Sequence, residues 1–366
     1  MKQKRKKLKL MSNSISRSSR KLDHIKYALS LPSGPGTTGF EDVNLIHRCL
    51  PELAWEEVDL STSFLGLSLS VPIIINAMTG GVEDVTGINR ALARVAARTG
   101  LAMAVGSQTA ALEKEDLATS FQVVRAENST GIIFSNVGAH VSPEAACRAV
   151  EMLNADALQI HLNPAQELVM AEGERDFRGL LANIKNIVKS VSVPVIVKEV
   201  GNGISGRDAV KLADVGVKGL DISGRGGTNF IAIELARRSD AFGRDLLNWG
   251  IPTAVSLVET VYSLVDKNVE VVASGGIKTS IDIAKAIALG SQAVCIAAPF
   301  LKILEQEGEE ALVERIINLQ HELKMVMLLT GASTVSAMQN VPVIITGPTA
   351  QWLQTLGIPI EMLAVR

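Results

Sequence analysis

A cluster of polar side chains follows an apolar stretch at residues 158–167, which read LQIHLNPAQE. Pro164 ends the predicted strand, because proline cannot take part in a central sheet ladder. The strand end carries an imidazole, two amides and a carboxylate, from His161, Asn163, Gln166 and Glu167. A lone glutamate after a strand is usually an exposed loop residue. Four ligand-capable side chains at one strand end instead predict a binding or catalytic site.

Lys198 is a second residue whose position suggests chemistry, because it ends the apolar run VPVIVK. A lysine there either extends its ammonium to the surface or holds it against an electron-rich group. Its position at a predicted strand end favours the second interpretation. The next predicted strand ends in SGRGGTNF, which offers the hydroxyls of Ser223 and Thr228. Glycine-rich loops are common, so this motif alone is weak.

The elements that must position these groups alternate regularly after about residue 70, with short β-branched runs between amphipathic helical stretches. The predicted strands cover residues 72–77, 101–106, 131–136, 156–161, 194–199, 218–223, 270–276 and 292–297. Eight strand–helix units predict an α/β fold, a TIM (β/α)8 barrel with an N-terminal extension. An open doubly wound sheet is the alternative, but no GxGxxG motif follows the first strand.

One stretch of the repeating region is ambiguous. Residues 251–257, IPTAVSL, could form a further strand. We interpret them as the start of a helix that runs to Val265, with Pro252 near its first turn, where proline is well tolerated.

Two small-residue turns near the end of the repeating region are typical of a phosphate site. SGGIK places Lys278 directly before a predicted helix, and IAAPF follows one strand–helix unit later. TIM barrels often bind phosphate with the loops after strands 7 and 8, where backbone amides and a helix N-terminus meet the anion. Two tight glycine turns without a ligand are the alternative, but the adjacent Lys278 favours phosphate.

The composition restricts the class of protein. The chain has 366 residues, 47% apolar and 4% aromatic, which fits two average domains or one large barrel. Its formal charge of −2 disfavours nucleic acid or an anionic membrane as the main partner. Residues 1–10 hold six basic residues with no apolar segment after them. We therefore predict a flexible basic tail over residues 1–20 rather than a secretory signal.

The cysteines indicate the redox environment. Three of them, Cys49, Cys147 and Cys295, are scattered along the chain without a CxxC motif. This pattern disfavours a disulfide framework or a zinc site and indicates a reducing, cytoplasmic location. Each lies in an apolar or helical context, so we expect all three to be small buried residues.

Several motifs in this order resemble type 2 isopentenyl-diphosphate isomerases: RKLDHI, NAMTGG, VGSQ, IHLNPAQE, VKEVGNGIS, SGRGGTNF, ASGGIKTSIDIAKAIALG and LLTGA. The resemblance runs from about Arg20 to the C-terminus, so residues 21–366 are expected to form one domain. It implies an FMN-containing TIM barrel that interconverts isopentenyl and dimethylallyl diphosphate. It also implies a need for reduced flavin, usually supplied by NADPH, and for Mg2+.

The resemblance also assigns residues to ligands. The positions that it implies for FMN binding are Ala77, Met78, Thr79, Ser107, Asn136, Lys198, Ser223, Thr228, Gly275, Gly276, Ile277, Lys278, Ala297 and Ala298. It implies that Arg20, Lys21 and Gln166 bind the substrate and that Glu167 binds Mg2+. A single carboxylate is sufficient there, since Mg2+ keeps several waters and shares oxygens of the diphosphate.

The residues themselves add further expectations to this set. Asn163 should donate to the substrate, and His161 should border it. An N-terminal segment that carries His24 should cover the barrel mouth and exclude water, although His24 could equally be a helix surface residue. We expect Lys198, Gln166 and His161 to be the catalytic residues.

Two positions depart from the family pattern. Thr109 stands where the family often has arginine, so one contact to the substrate diphosphate is in doubt. Lys278 also stands where arginine is common, and it offers a point charge instead of a bidentate fork. Both changes affect the expected affinity for phosphate and not the expected chemistry.

The expected reaction moves a double bond, which requires one proton to be added and another removed. No pair of a cysteine and a glutamate suited to protonating an alkene is evident at the strand ends. Reduced flavin can supply this chemistry, with Lys198 stabilising its anionic form. The alternatives are an FMN-dependent 2-hydroxy-acid oxidase, which would need a strand-end histidine base and paired arginines, and a non-catalytic phosphosugar- or nucleotide-binding barrel. The partner is expected to be a small diphosphate, and the protein a homo-oligomer, tetramer or octamer.

Overall fold

Eight parallel strands form a closed barrel in the computed structural model, which describes residues 21–32, 34–238 and 240–366. The strands are Ile73–Ile75 (β1), Ala102–Ala104 (β2), Ile133–Gly138 (β3), Ala157–His161 (β4), Val195–Lys198 (β5), Gly219–Asp221 (β6), Glu270–Ser274 (β7) and Ala293–Ile296 (β8). Each pairs with the next along the chain, and β8 pairs with β1. The predicted TIM barrel is confirmed, and the open doubly wound sheet is wrong.

Helices follow the strands and cover the outside of the barrel. They are Thr86–Thr99, Thr109–Glu113, Thr119–Glu127, Pro143–Leu153, Pro164–Val169, Leu180–Ser190, Gly206–Asp214, Phe230–Arg237, Thr253–Ser263, Ser280–Ala288 and Ala298–Glu307. The ambiguous stretch is helical, as predicted: Pro252 caps it and it ends at Ser263. Glu309–Thr330, Val335–Met338 and Gly347–Thr355 complete the C-terminal part, and residues 21–30 form an N-terminal helix. Short 3-10 turns lie at Phe40–Asp42, Trp55–Glu57, Glu83–Val85, Glu115–Ala118, Arg244–Asn248 and Ile360–Val365.

The apolar side chains form two layers. Ile73 and Ile75 point outward into the core between barrel and helices, whereas Ile74 points into the barrel with Ala102, Phe134 and Val272. All three isoleucines of β1 are fully buried. This explains why the strands are continuous apolar runs rather than alternating ones, since both faces of a parallel sheet are covered.

A β-hairpin closes the amino-terminal end of the barrel. Its strands, Thr62–Phe64 and Leu67–Leu69, are joined by Leu65 and Gly66, which both have positive φ as a two-residue type I′ turn requires. Phe64 is fully buried and packs edge to face on Phe134, with ring centroids 6.4 Å apart. The amide of Leu65 donates to Glu270 at the start of β7. The barrel interior is therefore filled from this end.

Three further observations concern the periphery. The strands Val43–Leu45 and Val343–Ile345 pair antiparallel and tie the N-terminal part of the chain to its C-terminal part. The expectation that all cysteines are buried is wrong, because Cys49 is exposed and Cys147 is half-buried, while Cys295 is buried on β8. Among the described residues, no helix is both long and apolar enough to cross a bilayer.

Candidate active site

A cavity of about 2230 Å³ opens at the carboxyl-terminal ends of the barrel strands. Ordinary ligand pockets measure about 300–1,000 Å³, so this cavity can hold more than one ligand. Every candidate residue that the structure describes lines it: Lys21, His24, Ala77, Met78, Thr79, Ser107, Asn136, His161, Asn163, Gln166, Glu167, Lys198, Ser223, Thr228, Gly275, Gly276, Ile277, Lys278, Ala297 and Ala298. Arg20 lies outside the described residues.

The polar cluster after β4 is held in one hydrogen-bonded group. Asn163 precedes the short helix Pro164–Val169, whose first turn carries Gln166 and Glu167. The Asn163 amide donates to Gln166 Oε1 at 3.1 Å and to Glu167 Oε1 at 3.0 Å. The backbone amide of Glu174 donates to Glu167 Oε2 at 2.8 Å. The side chains that the sequence placed together are therefore fixed before any ligand arrives.

Glu234 joins this cluster to the N-terminal helix. Its carboxylate is 1% exposed and accepts from Gln166 Nε2 at 3.0 Å, and its Oε1 lies 2.7 Å from His24 Nε2. Arg237 pairs with the same carboxylate and also with Asp23. Burial raises the pKa of Glu234, but the hydrogen bonds from His24, Gln166 and Arg237 outweigh it and leave the pKa below its ordinary value. Glu234 is thus an anion at the centre of the site.

Sequence reasoning missed Glu234. The residue belongs to IAIELAR in the helix Phe230–Arg237, which follows the glycine-rich loop after β6. A single carboxylate within an otherwise apolar helical run is the signal that could have identified it, because buried carboxylates need partners.

His161 lies at the end of β4 as a neutral imidazole. Its Nδ1 is 2.9 Å from Asn136 Oδ1, and the Asn136 amide donates to Gln159 Oε1 at 3.1 Å. This orientation of Asn136 makes Nδ1 the donor and leaves Nε2 as an acceptor. Burial, reinforced by the nearby charge of Lys198, lowers the pKa of His161 to about 3. His161 can therefore accept a hydrogen bond in the cavity without carrying charge.

Lys198 ends β5 with its side chain 6% exposed. Its ammonium donates to the carbonyl of Glu199 at 2.7 Å and lies 3.6 Å from Asp221 Oδ2. Lys198 therefore lies at a strand end, where the sequence analysis placed it, and Asp221 is a partner that the sequence analysis did not identify.

Glu199 turns its carboxyl group toward the backbone that follows it. One oxygen accepts from the amides of Val200, Gly201 and Asn202, which shapes the loop after β5. Burial raises the pKa of Glu199 to about 7, although these three donors favour the ionised form. Glu199 also lines the cavity and was not among the candidate residues.

The glycine turn after β7 packs against the glycine-rich loop after β6. Gly275 and Gly276 have φ of 105° and 80°, and a Cβ on Gly275 would lie 2.1 Å from the carbonyl oxygen of Gly224. Other residues are therefore excluded from this turn. Ser223 has φ of 37°, which is uncommon for a residue with a side chain and typical of functional sites. Thr279 and Asp282 form a capping box at the start of the next helix, directly beyond Lys278.

Thr109, at the position where the resemblance implied an arginine, is close to a lysine from the N-terminal helix. Thr109 Oγ1 lies 3.0 Å from Ser107 Oγ, and Lys21 Nζ donates to the carbonyl of Ser107 at 3.2 Å and to that of Gly80. Lys21 thus brings a positive charge to the side of the cavity that Thr109 lines.

Comparison with known proteins identifies the family. A family model described as FMN-dependent dehydrogenase matches residues 142–344. An isopentenyl-diphosphate delta-isomerase from Moorella thermoacetica is 49% identical over 340 residues, which cover 93% of this chain and 97% of the relative. The protein of the same name from Symbiobacterium thermophilum is 49% identical over 360 residues, covering 96% and 98%.

Solved structures at lower identity share the fold. A mandelate oxidase variant with an FMN adduct superposes with a TM-score of 0.63 at 18% identity, covering 88% of this chain and all (100%) of that one. A flavocytochrome b2 variant with benzoylformate gives 0.62 at 20% identity, covering 83% and 76%. The fold is thus that of FMN-dependent dehydrogenase barrels. The two relatives at 49% identity both carry the more specific name isopentenyl-diphosphate delta-isomerase. The chain belongs to the isopentenyl-diphosphate delta-isomerase family.

Proposed function

We propose that this protein interconverts isopentenyl diphosphate and dimethylallyl diphosphate with the aid of FMN and Mg2+. The observation that carries the proposal is the joining of two kinds of site in one cavity. One side has the glycine turn at residues 275–276 and the buried Lys198, and the other has the Gln166–Glu167–Glu234 cluster beneath the N-terminal helix. The names of the close relatives support the isomerase activity, and the FMN-dependent dehydrogenase family model supports the use of FMN.

The residues present fit an FMN molecule. The turn at Gly275 and Gly276 offers backbone amides without side chains, just before a capped helix, which suits a phosphate group. The Thr79 hydroxyl is buried in the cavity wall and has no hydrogen-bond partner among the described residues, as expected of a group that meets a ligand. Reduced FMN would supply a proton donor and acceptor beside an electron-rich ring.

The polar cluster fits a diphosphate with a hard cation. Glu167 presents a carboxylate that Asn163 and the amide of Glu174 hold in place. The described residues contain no group of three or more histidines, cysteines or acids arranged to hold a metal. A site with one carboxylate suits Mg2+, which prefers oxygen ligands, retains water and shares phosphate oxygens. Lys21 adds a cation at the same opening.

The chain's own residues would orient the substrate and keep water away from it. Glu234 holds the Gln166 amide through Nε2, and Asn163 holds it through Oε1, so its two ends face fixed directions. His161 donates from Nδ1 to Asn136, so its Nε2 can accept a hydrogen bond from a ligand. Its low pKa keeps the ring neutral, so it would not act as a charged acid. His24 fastens the N-terminal helix over this group, which excludes water from the reacting carbons. Lys198 supplies the positive charge at the floor of the cavity.

Three finer assignments complete the proposal. NADPH is the expected reductant, the protein acts in the cytoplasm, and it assembles as a tetramer or octamer. The free cysteines suit a reducing compartment. A hydroxy-acid oxidase is disfavoured, because the fold likeness to such enzymes is at 18–20% identity while the isomerase relatives are at 49%.

The deciding experiment counts product against reductant. Isomerisation leaves the oxidation state of the substrate balanced, so reduced flavin is not consumed. Protein loaded with FMN and reduced chemically without oxygen should convert many molecules of isopentenyl diphosphate per reducing equivalent, and the oxidised protein should convert none. A ratio of one product per reducing equivalent would instead identify a dehydrogenase or reductase.

A further inference from the structure

The buried ammonium of Lys198 has a dedicated counter-charge. Asp221 Oδ2 lies 3.6 Å from Lys198 Nζ, and the barrel register places the two residues side by side on β5 and β6. The ammonium also donates to the neutral carbonyl of Glu199. Leaving a buried charge without a partner is strongly unfavourable, so the charge of the Lys198 ammonium depends on Asp221.

Two other strand ends hold the Asp221 carboxylate. Asn76, which follows β1, donates to Asp221 Oδ2 at 2.9 Å, and Ser274, which ends β7, donates to Asp221 Oδ1. These contacts are all donors to the carboxylate, as an ionised acid requires. Three strands of the barrel therefore cooperate to fix one negative charge next to Lys198.

Asp221 lies behind the cavity wall. Its side chain is fully buried, at 0% exposure, whereas Lys198, Asn76 and Ser274 line the cavity. Asp221 therefore does not contact a bound molecule directly, and it acts on one through the residues that it holds and through its charge.

The other titratable groups that face Lys198 do not replace this counter-charge. His161 on β4 is neutral, because its pKa is about 3. Cys295 on β8 remains a thiol, since burial and the charge of Asp221 raise its pKa. Glu199 directs its carboxyl group to the amides of residues 200–202 and its carbonyl to Lys198, and the charge of Lys198 acts on that carboxyl group more weakly than the three amides do.

We propose that Asp221 is a positioning residue that keeps the Lys198 ammonium charged and fixed at the cavity floor, ready for the negative charge of a reduced flavin. This inference rests on the proposed function, which places FMN in the cavity. Lys198 touches the ligand, and Asp221 determines where and in which protonation state it does so.

The pH dependence of the flavin midpoint potential tests the proposal. Reduction of FMN to its anion takes up two electrons and one proton. Wild-type protein on the alkaline side of neutrality should therefore show the slope of one proton per two electrons, because Lys198 is already charged. In Asp221→Asn, burial without a counter-charge favours the neutral amine, which gains a proton as the ring becomes negative. Its slope should correspond to two protons per two electrons, twofold steeper.

The control is Asp214→Asn, which removes a carboxylate that pairs with Lys267 at 2.7 Å on the surface. It should retain the wild-type slope. A wild-type slope in Asp221→Asn would overturn the inference and leave the proposed function intact. Wild-type protein that retains no FMN would overturn both.

A second variant covers the case in which Asp221→Asn binds no FMN. The double change of Asp221→Asn with Lys198→Met removes both charges and leaves no uncompensated ion in the wall. The reference is Lys198→Met alone, which lacks the same contact to FMN. A double variant that binds as much FMN as Lys198→Met, measured by the visible absorbance of the purified proteins, would show that the defect of Asp221→Asn came from an unpaired Lys198. FMN binding below that of Lys198→Met would contradict the positioning role.

Discussion

His24 Nε2 lies 2.7 Å from Glu234 Oε1, so a residue of the N-terminal helix contacts the same carboxylate oxygen that receives the Gln166 amide. Glu234 is therefore a latch between the N-terminal helix, which lines the cavity, and the Gln166 amide, which is proposed to face the substrate. Closing the cavity and orienting Gln166 are coupled through one buried anion. A covering segment attached in this way arranges the site as it excludes water.

Glu234→Gln should lower kcat/KM for isopentenyl diphosphate by about 10- to 100-fold, because hydrogen bonds to a charged group contribute about 1.5–3 kcal/mol. The FMN content of the purified protein should not change. The matched control is Glu172→Gln, because Glu172 also pairs with Arg237 but its side chain is 42% exposed. An ion pair with so exposed a partner contributes little free energy. Equal losses in the two variants would contradict the latch.

Deletion of residues 1–24 should abolish isomerisation while FMN remains bound, since it removes Lys21 and His24 from the cavity opening. Deletion of residues 1–10 should leave activity unchanged. Activity and the flavin absorbance of both shortened proteins are the measurements. An active protein without residues 1–24 would show that the N-terminal helix does not cover the substrate.

Glu167→Gln should raise the Mg2+ concentration needed for half-maximal activity by more than about 100-fold. Loss of a residue that only holds a metal ligand in place already lowers metal affinity by about 10- to 100-fold. The amide keeps the shape of the side chain and loses its charge. FMN affinity should stay as in the wild type. Glu151→Gln, on an exposed position of the helix Pro143–Leu153, serves as the control. An unchanged Mg2+ titration would exclude Glu167 as the ligand.

Stability between about pH 4.5 and 7 should reflect Glu199. Its pKa rises from 4.5 to about 7 on folding, so within this window the folded chain keeps a proton that the unfolded chain releases. This contribution is complete below the window and is lost as pH rises through it, by up to about 3 kcal/mol at 1.36 kcal/mol per pKa unit. Glu199→Gln has no such proton.

The measurement for Glu199 is the free energy of unfolding in urea at about pH 5 and about pH 7.5. Wild type should lose stability relative to Glu199→Gln over this interval. His161 acts in the opposite direction, since its lowered pKa costs stability as pH falls below 6.5, but it does so equally in both proteins. A constant difference between the two proteins would refute the protonation of Glu199.

The barrel and most of its site were predictable because local patterns encode them. Eight β-branched runs give eight strands, and the polar groups at their ends meet at one mouth, as parallel strands require. Asp221 was hidden because its role depends on register: its partners Asn76 and Lys198 come from other strands, and one of them is 145 positions away. The hairpin at residues 62–69 was missed because each of its strands is only three residues long, too short for an alternating pattern to identify it. Cys49 was misjudged because an apolar neighbourhood in sequence does not guarantee burial.

The hairpin at residues 62–69 leaves the barrel cavity open at its carboxyl-terminal end. Phe64 fills the amino-terminal end of the barrel, so ligands reach the cavity floor through the carboxyl-terminal mouth, beneath the N-terminal helix. On the proposed function, the reductant and the isoprenoid diphosphate then enter through the same opening, so their binding is mutually exclusive. The substrate should protect a reduced cofactor from oxygen, and it should equally delay the reduction of an oxidised one.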